Sequence, residues 1–178
     1  MSRALQALYQ GDEQTARELL GPDDELTVFE AAAFGRTERL GRILDDDPDQ
    51  ARALSDDGFT ALHLAIFGGQ EDAMRLLLER GADPNALSTS DIAKVPPLGT
   101  AAFVRSAPLA RVLLDSGADP NGRGEGGFTA LHSAAQNEDE ELARLLLERG
   151  ADPSLAADDG RKPADFGLAD LLSQRQHG

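Results

Sequence analysis

The chain has 178 residues and a formal net charge of −15 at pH 7, and it contains neither cysteine nor tryptophan. The absence of cysteine excludes disulfides, thiol chemistry and the commonest structural zinc ligands, and the acidity argues against a nucleic-acid-binding surface, which needs a basic face. No stretch approaches 18 apolar residues, and the first residues, MSRALQALYQGDEQ, lack the apolar core of a secretion signal. We therefore expect a cytoplasmic protein with no membrane contact.

Two nearly identical hexapeptides lie 69 residues apart, TALHLA from Thr60 and TALHSA from Thr129. The segments that follow them repeat as well, with LLLERGADPN from Leu76 and LLLERGADPS from Leu145. A third copy, LLDSGADPN, begins at Leu113. These spacings indicate an internal repeat of about 33 residues. A repeat of this length predicts a fold of stacked, similar units, so the repeat is considered before the single helices.

The elements of each copy follow from its residues in chain order. In a degenerate first copy, TVFEAAAFG from Thr27 aligns with TALHLAIFG at an offset of 33. In the next copy, the Asp-Gly dipeptide at 57–58 is typical of a tight turn, and Thr60 is typical of a helix N-cap. The apolar residues at i, i+3 and i+4 from Leu62 predict one face of a short inner helix. Gly81 predicts the end of a second, outer helix.

The third copy departs from this pattern. It carries three extra residues in STSDIAKVPPLG, and PPLG stands where the other copies have TALH. The missing threonine and histidine predict weaker capping. Pro108 is predicted to start the outer helix of this copy, since a proline is tolerated at the first helical position. We interpret the insertion as a longer loop that has drifted, with a specialised loop as the alternative.

A period of 33 residues with T-x-L-H-x-A, an apolar helix and L-L-x-x-G-A-D-x-N resembles the ankyrin repeat, although Ala61 and Ala130 stand where the family has proline. The resemblance implies an all-α, ankyrin-like helical solenoid of stacked helix–turn–helix units with short β-hairpin fingers. It also implies a non-enzymatic scaffold for protein–protein contacts, and we expect a monomer without a cofactor. We expect one domain over 1-178, made of an N-terminal cap, four copies and a C-terminal cap at 1-21, 22-54, 55-87, 88-123, 124-156 and 157-178.

Two histidines, His63 and His132, lie outside the C-terminal tail that carries His177. The resemblance implies that each bonds the hairpin backbone and the threonine of its own copy, Thr60 or Thr129. Because helix layers are about 8–10 Å apart, the two rings are expected roughly 20 Å apart, too far to share a metal or act as a catalytic pair. No Ser-His-Asp or paired-carboxylate spacing stands out, so we expect no enzyme.

One alignment column, which we call the groove column, lies just past the core positions of the inner helices and holds Phe34, Phe67, Phe103 and Gln136. In the family this column faces the concave groove, so the resemblance implies partner contact, with packing of the rings as core as the alternative. A second column, at the bases of the fingers, includes Phe59 and Phe128 and is also groove-side in the family. Acid pairs such as Asp56 and Asp57 stand at the finger tips, where turn chemistry alone is the alternative.

The charge is uneven, at about −10 over residues 1–89 and −5 over the rest. This acidity is consistent with solubility or a salty interior, with steering of a basic protein partner, or with mimicry of nucleic-acid phosphates. We predict a module that holds a protein partner with a basic or amphipathic segment in its groove. The alternative is an acidic mimic that inhibits a DNA- or RNA-binding protein.

Overall fold

The computed structural model describes residues 2–91 and 93–173, which fall into two compact units. Unit 1 comprises Met1–Asp83 with Ser88–Ile92, and unit 2 comprises Pro84–Leu87 with Ala93–Gly178. Eleven α-helices lie within the described residues, so the predicted all-α class is confirmed. The last part of the predicted C-terminal cap, including His177, lies outside the described residues.

Each unit is built from consecutive pairs of an inner and an outer helix. The pairs of unit 1 are α1 (Arg3–Tyr9) with α2 (Glu13–Glu18), α3 (Val28–Ala33) with α4 (Thr37–Asp46), and α5 (Ala61–Phe67) with α6 (Glu71–Glu79). Those of unit 2 are α7 (Pro97–Phe103) with α8 (Ala107–Asp115) and α9 (Ala130–Gln136) with α10 (Glu140–Glu148); a 3-10 turn at Pro163–Asp165 then precedes α11 (Ala169–Ser173). Inner helices pack on inner helices (α3 on α5, α7 on α9) and outer on outer (α4 on α6, α8 on α10), which is the stacking expected of a helical solenoid.

The starts of α5 and α7 follow the capping predicted from the sequence, whereas the predicted start of α8 at Pro108 is wrong by one residue. The Thr60 hydroxyl accepts a hydrogen bond from the backbone N–H of His63 at the start of α5. Helix α7 has Pro96 at its N-cap and no side-chain cap bond, as the missing threonine predicted. Helix α8 begins one residue before Pro108, because Ser106 supplies the N-cap by accepting from the backbone N–H of Leu109. Pro108 therefore takes the second helical position, where its N–H is not needed either.

The turn after each inner helix contains one residue with a left-handed backbone. Unit 1 uses glycine there, whereas unit 2 uses Arg105 (φ 56°), Glu138 (φ 53°) and Leu168 (φ 55°). A side chain in this region costs about 1–2 kcal/mol, so the turns of unit 2 store strain that those of unit 1 lack. A hydrogen bond from the Arg105 guanidinium to the carbonyl of Asn137 (3.1 Å) offsets part of it.

The predicted fingers are present as tight loops. The N–H of Ser55 donates to the carbonyl of Phe59 (2.8 Å), and a single antiparallel bridge joins Leu54 to Thr60. The later finger closes in the same way, from the N–H of Gly124 to the carbonyl of Phe128 (2.7 Å). The hairpins of the described residues are thus too short to extend beyond a bridge into a strand ladder.

Asparagines join successive loops of unit 2. The Asn85 side chain donates to the carbonyl of Gly117 (3.1 Å) and accepts from the N–H of Asp119 (2.7 Å). Asn121 makes the same two bonds one repeat later, with the carbonyl of Gly150 (3.1 Å) and the N–H of Asp152 (2.8 Å). Because each asparagine binds the same two positions of the next loop, it fixes the spacing between repeats.

The core consists of thin layers of leucine and alanine. Leu62, Ala65 and Ile66 are fully buried on one face of α5, as the sequence predicted, and Met74 and Leu77 of α6 close the layer. Fully burying a leucine-sized side chain stabilises the fold by about 1.5–3 kcal/mol. Small and aliphatic side chains therefore supply most of the buried core, and few aromatic rings are needed.

Candidate functional site

The three phenylalanines predicted as contacts in unit 1 pack on one buried core. Phe34, Phe59 and Phe67 are each half-buried, and with Tyr9 and Phe29 they form a set of rings on this core that we call the aromatic cluster. The buried residues beneath these rings are Leu5, Ala7, Leu8, Ala16, Ala33 and Leu64. The three phenylalanines thus present only part of each ring to solvent and also belong to the packing of the unit.

Tyr9, at the end of α1, lies against two of these phenylalanines. Its ring meets Phe67 edge-on, with 5.1 Å between centroids, and lies 6.2 Å from the ring of Phe59. Burial, together with the neighbouring Asp57 carboxylate, raises the pKa of the Tyr9 hydroxyl, so it stays protonated. Despite this proximity, the Tyr9 hydroxyl oxygen and Oδ2 of Asp57 are buried without a well-formed hydrogen bond. Sequence reasoning missed Tyr9.

The predicted contact residues of unit 2 have different surroundings. Phe103, at the end of α7, is 70% exposed, and Gln136, at the end of α9, is also exposed. Phe128 is half-buried, with its ring centroid 5.2 Å from both His132 and Phe166. The guanidinium of Arg161 lies 4.3 Å above the ring of Phe166, so this side of Phe128 is covered by a cation–π pair.

The residues assigned to the groove column depend on how the copies are aligned. Alignment at the left-handed turn residue gives a different set from alignment at the helix N-cap. Helix α3 ends at Ala33 with Phe34 as its C-cap, whereas α5 includes Phe67 and has Gly68 as its C-cap, so α3 is one residue shorter. Two places before each left-handed residue, unit 1 has Tyr9, Ala33 and Phe67, and unit 2 has Phe103, Gln136 and Phe166. Phe34 is therefore displaced by one position, while Tyr9 and Phe166 join the column.

Acids at the finger tips differ in their neighbours. Three lie within ion-pair distance of an arginine: Asp23 of Arg36 (3.6 Å), Asp158 of Arg123 (3.3 Å) and Asp159 of Arg161 (2.7 Å). Hydrogen bonds from Arg161 lower the pKa of Asp159. In unit 1, Asp56 is exposed and Asp57 is half-buried, and the Ser55 hydroxyl bonds Oδ1 of Asp57 (2.5 Å).

Each histidine contacts the threonine of its own copy, as the family resemblance implied, and His132 also makes the implied bond to a loop backbone. Nδ1 of His63 lies 2.8 Å from the Thr60 hydroxyl. Nδ1 of His132 accepts from the N–H of Thr129 (3.2 Å), so Nε2 carries the proton and donates to the carbonyl of Arg161 (3.2 Å). Burial lowers the pKa of His132 below its ordinary value, and the ring is thus a neutral bridge between two loops.

Residues 2–91 and 93–173 hold no group of three or more His, Cys, Asp or Glu side chains arranged to bind a metal ion. Within the same ranges no helix is long and apolar enough to cross a membrane.

Family models match most of the repeated region. One described as "Ankyrin repeat" matches residues 57–89, and one described as "Ankyrin repeats (3 copies)" matches residues 89–157. Together they cover more than half of the chain, including every element from the hairpin before α5 to the loop after α10.

Curated relatives share this similarity over short segments. The Zinc finger CCCH domain-containing protein 33 of Oryza sativa subsp. japonica is 35% identical over 96 residues, 52% of this chain and 16% of that protein. The E3 ubiquitin-protein ligase XB3 of the same organism is 36% identical over 66 residues, 36% of this chain and 15% of that protein. The Ankyrin repeat and SAM domain-containing protein 6 of Rattus norvegicus is 36% identical over 58 residues, 33% of this chain and 7% of that protein. The chain spans less than a fifth of the length of each.

Proposed function

Because the chain belongs to the ankyrin-repeat family, whose repeats are non-catalytic protein–protein interaction modules, we propose that it binds a protein partner through its groove-side residues. The observation that carries this proposal is Phe103. Its ring is 70% exposed at the end of an inner helix, and no other aromatic ring among the described residues is so exposed. Exposed aromatic anchors typically dominate the energy of an interface.

The two units contribute different contacts to the proposed function. In unit 2, Phe103 supplies an exposed ring, Gln136 an exposed amide, and Phe128 a half-buried ring at a finger base. In unit 1, Phe34, Phe59 and Phe67 supply partly exposed rings, since each also packs against the buried core of the unit. Truncation of the unit 2 anchor should therefore weaken binding without loss of fold, whereas truncation in unit 1 affects both.

The partner's chemistry follows from the charge. A chain with a net charge of −15 attracts a basic or amphipathic segment. Because salt screens this attraction, the association rate constant should fall as the salt concentration rises. Asp56 and Asp57 lie at the finger of the more acidic half. Mimicry of nucleic acid has less support, because Asp23, Asp158 and Asp159 lie beside arginines instead of forming an unbroken line of negative charge.

The proposal is tested by capture from native lysate followed by mass spectrometry, with wild type, Phe103→Ser and Leu19→Ser compared in parallel. Leu19 is the matched control, since it is an exposed apolar residue outside the proposed contacts. We expect Phe103→Ser to lose the protein that wild type and Leu19→Ser retain, at an unchanged melting temperature. Capture of the same protein by wild type and both variants would show that Phe103 does not contribute to binding. Size-exclusion chromatography with light scattering tests the accompanying inference that the chain is a monomer.

A further inference from the structure

The ring of His132 is a fully buried connection between two adjacent fingers of unit 2. One finger comprises residues 124–128 and leads into α9 at Thr129; the next comprises residues 157–161, and we call it the last finger. Nδ1 of the ring accepts from the N–H of Thr129 (3.2 Å), and Nε2 donates to the carbonyl of Arg161 (3.2 Å). Both ring nitrogens are therefore used, and together they require the neutral ring with its proton on Nε2.

A proton on Nδ1 does not fit this arrangement. The charged ring has two donors and no acceptor, so the N–H of Thr129 would face another N–H and lose its partner. The Thr129 hydroxyl, 2.9 Å from Nδ1, is able to accept the new proton, but it does not replace the acceptor that the backbone N–H has lost. Because a buried donor without a partner is destabilising, the charged ring is more stable outside this site than inside it.

The charges around the ring do not compensate for its burial. The Arg123 guanidinium disfavours a second positive charge, and the Asp159 carboxylate, which favours it, already binds the guanidinium of Arg161 (2.7 Å). Helix α7, which packs on α9, has no ionisable side chain, and those of α10 are exposed. In the 3-10 turn that also packs on α9, the Asp165 carboxylate accepts from a backbone N–H (2.7 Å). Burial thus outweighs the nearby charges and lowers the pKa of His132.

We propose that His132 forms a pH-sensitive contact, which holds the last finger on α9 while the ring is neutral and releases it when the ring leaves its site to bind a proton. Leaving breaks the bond from Nε2 to the carbonyl of Arg161. It also separates the ring from Phe128 and Phe166, whose centroids lie 5.2 and 5.8 Å from that of His132. Acid therefore loosens the last finger and uncovers Phe128, and this opening does not depend on whether a partner binds there.

Two other bonds hold the last finger and do not titrate in the same pH range. The N–H of Asp158 donates to the carbonyl of Gly126 (2.8 Å), and the Arg123 guanidinium donates to the carbonyl of Ala156 (3.0 Å). Histidine is the side chain whose ordinary charge change falls between pH 5 and 8. A pH dependence of the last finger in that range therefore reports His132, while the other two bonds keep the open form a minor population.

The test measures hydrogen exchange by NMR on the ¹⁵N-labelled full chain between pH 5 and 7.5. The reporting amides are those of Ala157 and Gly160, which close the last finger by bonds to the carbonyls of Arg161 (2.8 Å) and Ala157 (2.9 Å). The reference is the amide of Asp152, which bonds Asn121 in the same unit. Below about pH 6.5, the protection factors of Ala157 and Gly160 should fall by up to about tenfold per pH unit, the limit for one proton bound only in the open form, while that of Asp152 stays nearly constant.

Two matched variants assign the effect to one histidine. His132→Gln retains an amide donor near the carbonyl of Arg161 but binds no proton, so the protection of its last finger should not depend on pH. His63→Gln, the same change in unit 1, should leave the wild-type pH dependence of the last finger intact. Protection that falls with acid as steeply in His132→Gln as in wild type would overturn the proposal.

A second measurement needs no variant and holds even if His132→Gln folds poorly. The ¹⁵N chemical shifts of the imidazole in wild type report which ring nitrogen carries a proton. We expect the neutral ring with its proton on Nε2 in the closed form, and a charged ring only in exchange with opening of the last finger. A ring of His132 that becomes charged while the amide of Ala157 stays fully protected would mean that the site accommodates the charge, and the proposal would be wrong.

Discussion

Replacing Gly58 by alanine tests how tightly the finger of unit 1 packs. Gly58 has φ +83°, and an added Cβ would meet the nitrogen of Ser90 at 2.5 Å and the carbonyl carbon of Thr89 at 2.7 Å. Both neighbours are backbone atoms, so neither can rotate away. Gly160 is a matched control in the last finger, because its φ is +85° and a Cβ there would meet nothing within 4 Å.

The expected magnitudes differ for a physical reason. A left-handed alanine costs about 1–2 kcal/mol, and the reduced freedom of the unfolded chain returns about 0.4–1 kcal/mol, so Gly160→Ala should cost about 0.5–1 kcal/mol. In Gly58→Ala the segment at 89–90 must also move and lose the hydrogen bond from the N–H of Thr89 to the carbonyl of Gly58, worth about 0.5–1.5 kcal/mol. The total for Gly58→Ala is then about 1–2.5 kcal/mol.

Urea unfolding of the two variants measures this difference directly. Thermal melting should show it as a fall of roughly 2–10 °C for Gly58→Ala against 1–4 °C for Gly160→Ala. Hydrogen exchange at the amide of Thr89 reports the local effect, and it should accelerate in Gly58→Ala alone. Equal losses of stability in the two variants would refute the reasoning, since only the backbone contact distinguishes them.

Tyr9→Phe should leave the free energy of unfolding in urea unchanged or slightly higher, because the hydroxyl is buried without a well-formed hydrogen bond. Tyr9→Ala should cost about 1.5–3 kcal/mol, since the ring is partly buried. A large loss in Tyr9→Phe would mean that the hydroxyl binds Asp57. Phe67→Ser should melt well below Phe103→Ser, since Phe67 is half-buried and Phe103 is 70% exposed, and equal melting temperatures would contradict this difference. Stability should fall as pH drops below 6.5, and less so in His132→Asn, because burial lowers the pKa of His132 and the unfolded chain binds its proton first. Parallel pH curves for wild type and His132→Asn would exclude that contribution.

Local features were predictable because their causes are local. Thr60 caps α5 and holds the ring of His63 within a span of four residues, so TALH specifies both the helix start and the histidine's partner. The missing cap of α7 follows equally from PPLG, in which no side chain can accept the first N–H groups. The repeat period likewise predicted one inner and one outer helix in each copy, because each helix pair lies within a single repeat.

The alignment of the inner-helix ends could be predicted only in part. Alignment from Thr27 placed Phe34 in the groove column, but α3 is one residue shorter than α5, and a shortened helix end leaves no mark when copies are aligned at their N-caps. Tyr9 was missed because the copy it belongs to lacks TALH, and its contact with Phe67 joins residues 58 positions apart. Counting back from Gly11 and Gly69 would have aligned the two.

The ladder of asparagines has a consequence for the chemical ageing of the protein. Asn121 precedes Gly122, a pair that deamidates readily in flexible chains when the glycine nitrogen attacks the side-chain amide. Here the Asn121 amide is held by Gly150 and Asp152, and the N–H of Gly122 donates to the carbonyl of Asp119 (3.0 Å). Both reacting groups are thus held in place while the loop stays folded. The rate at which aspartate accumulates at position 121 during storage would therefore report how often this loop of unit 2 opens, with Asn85, which precedes an alanine, as the internal standard.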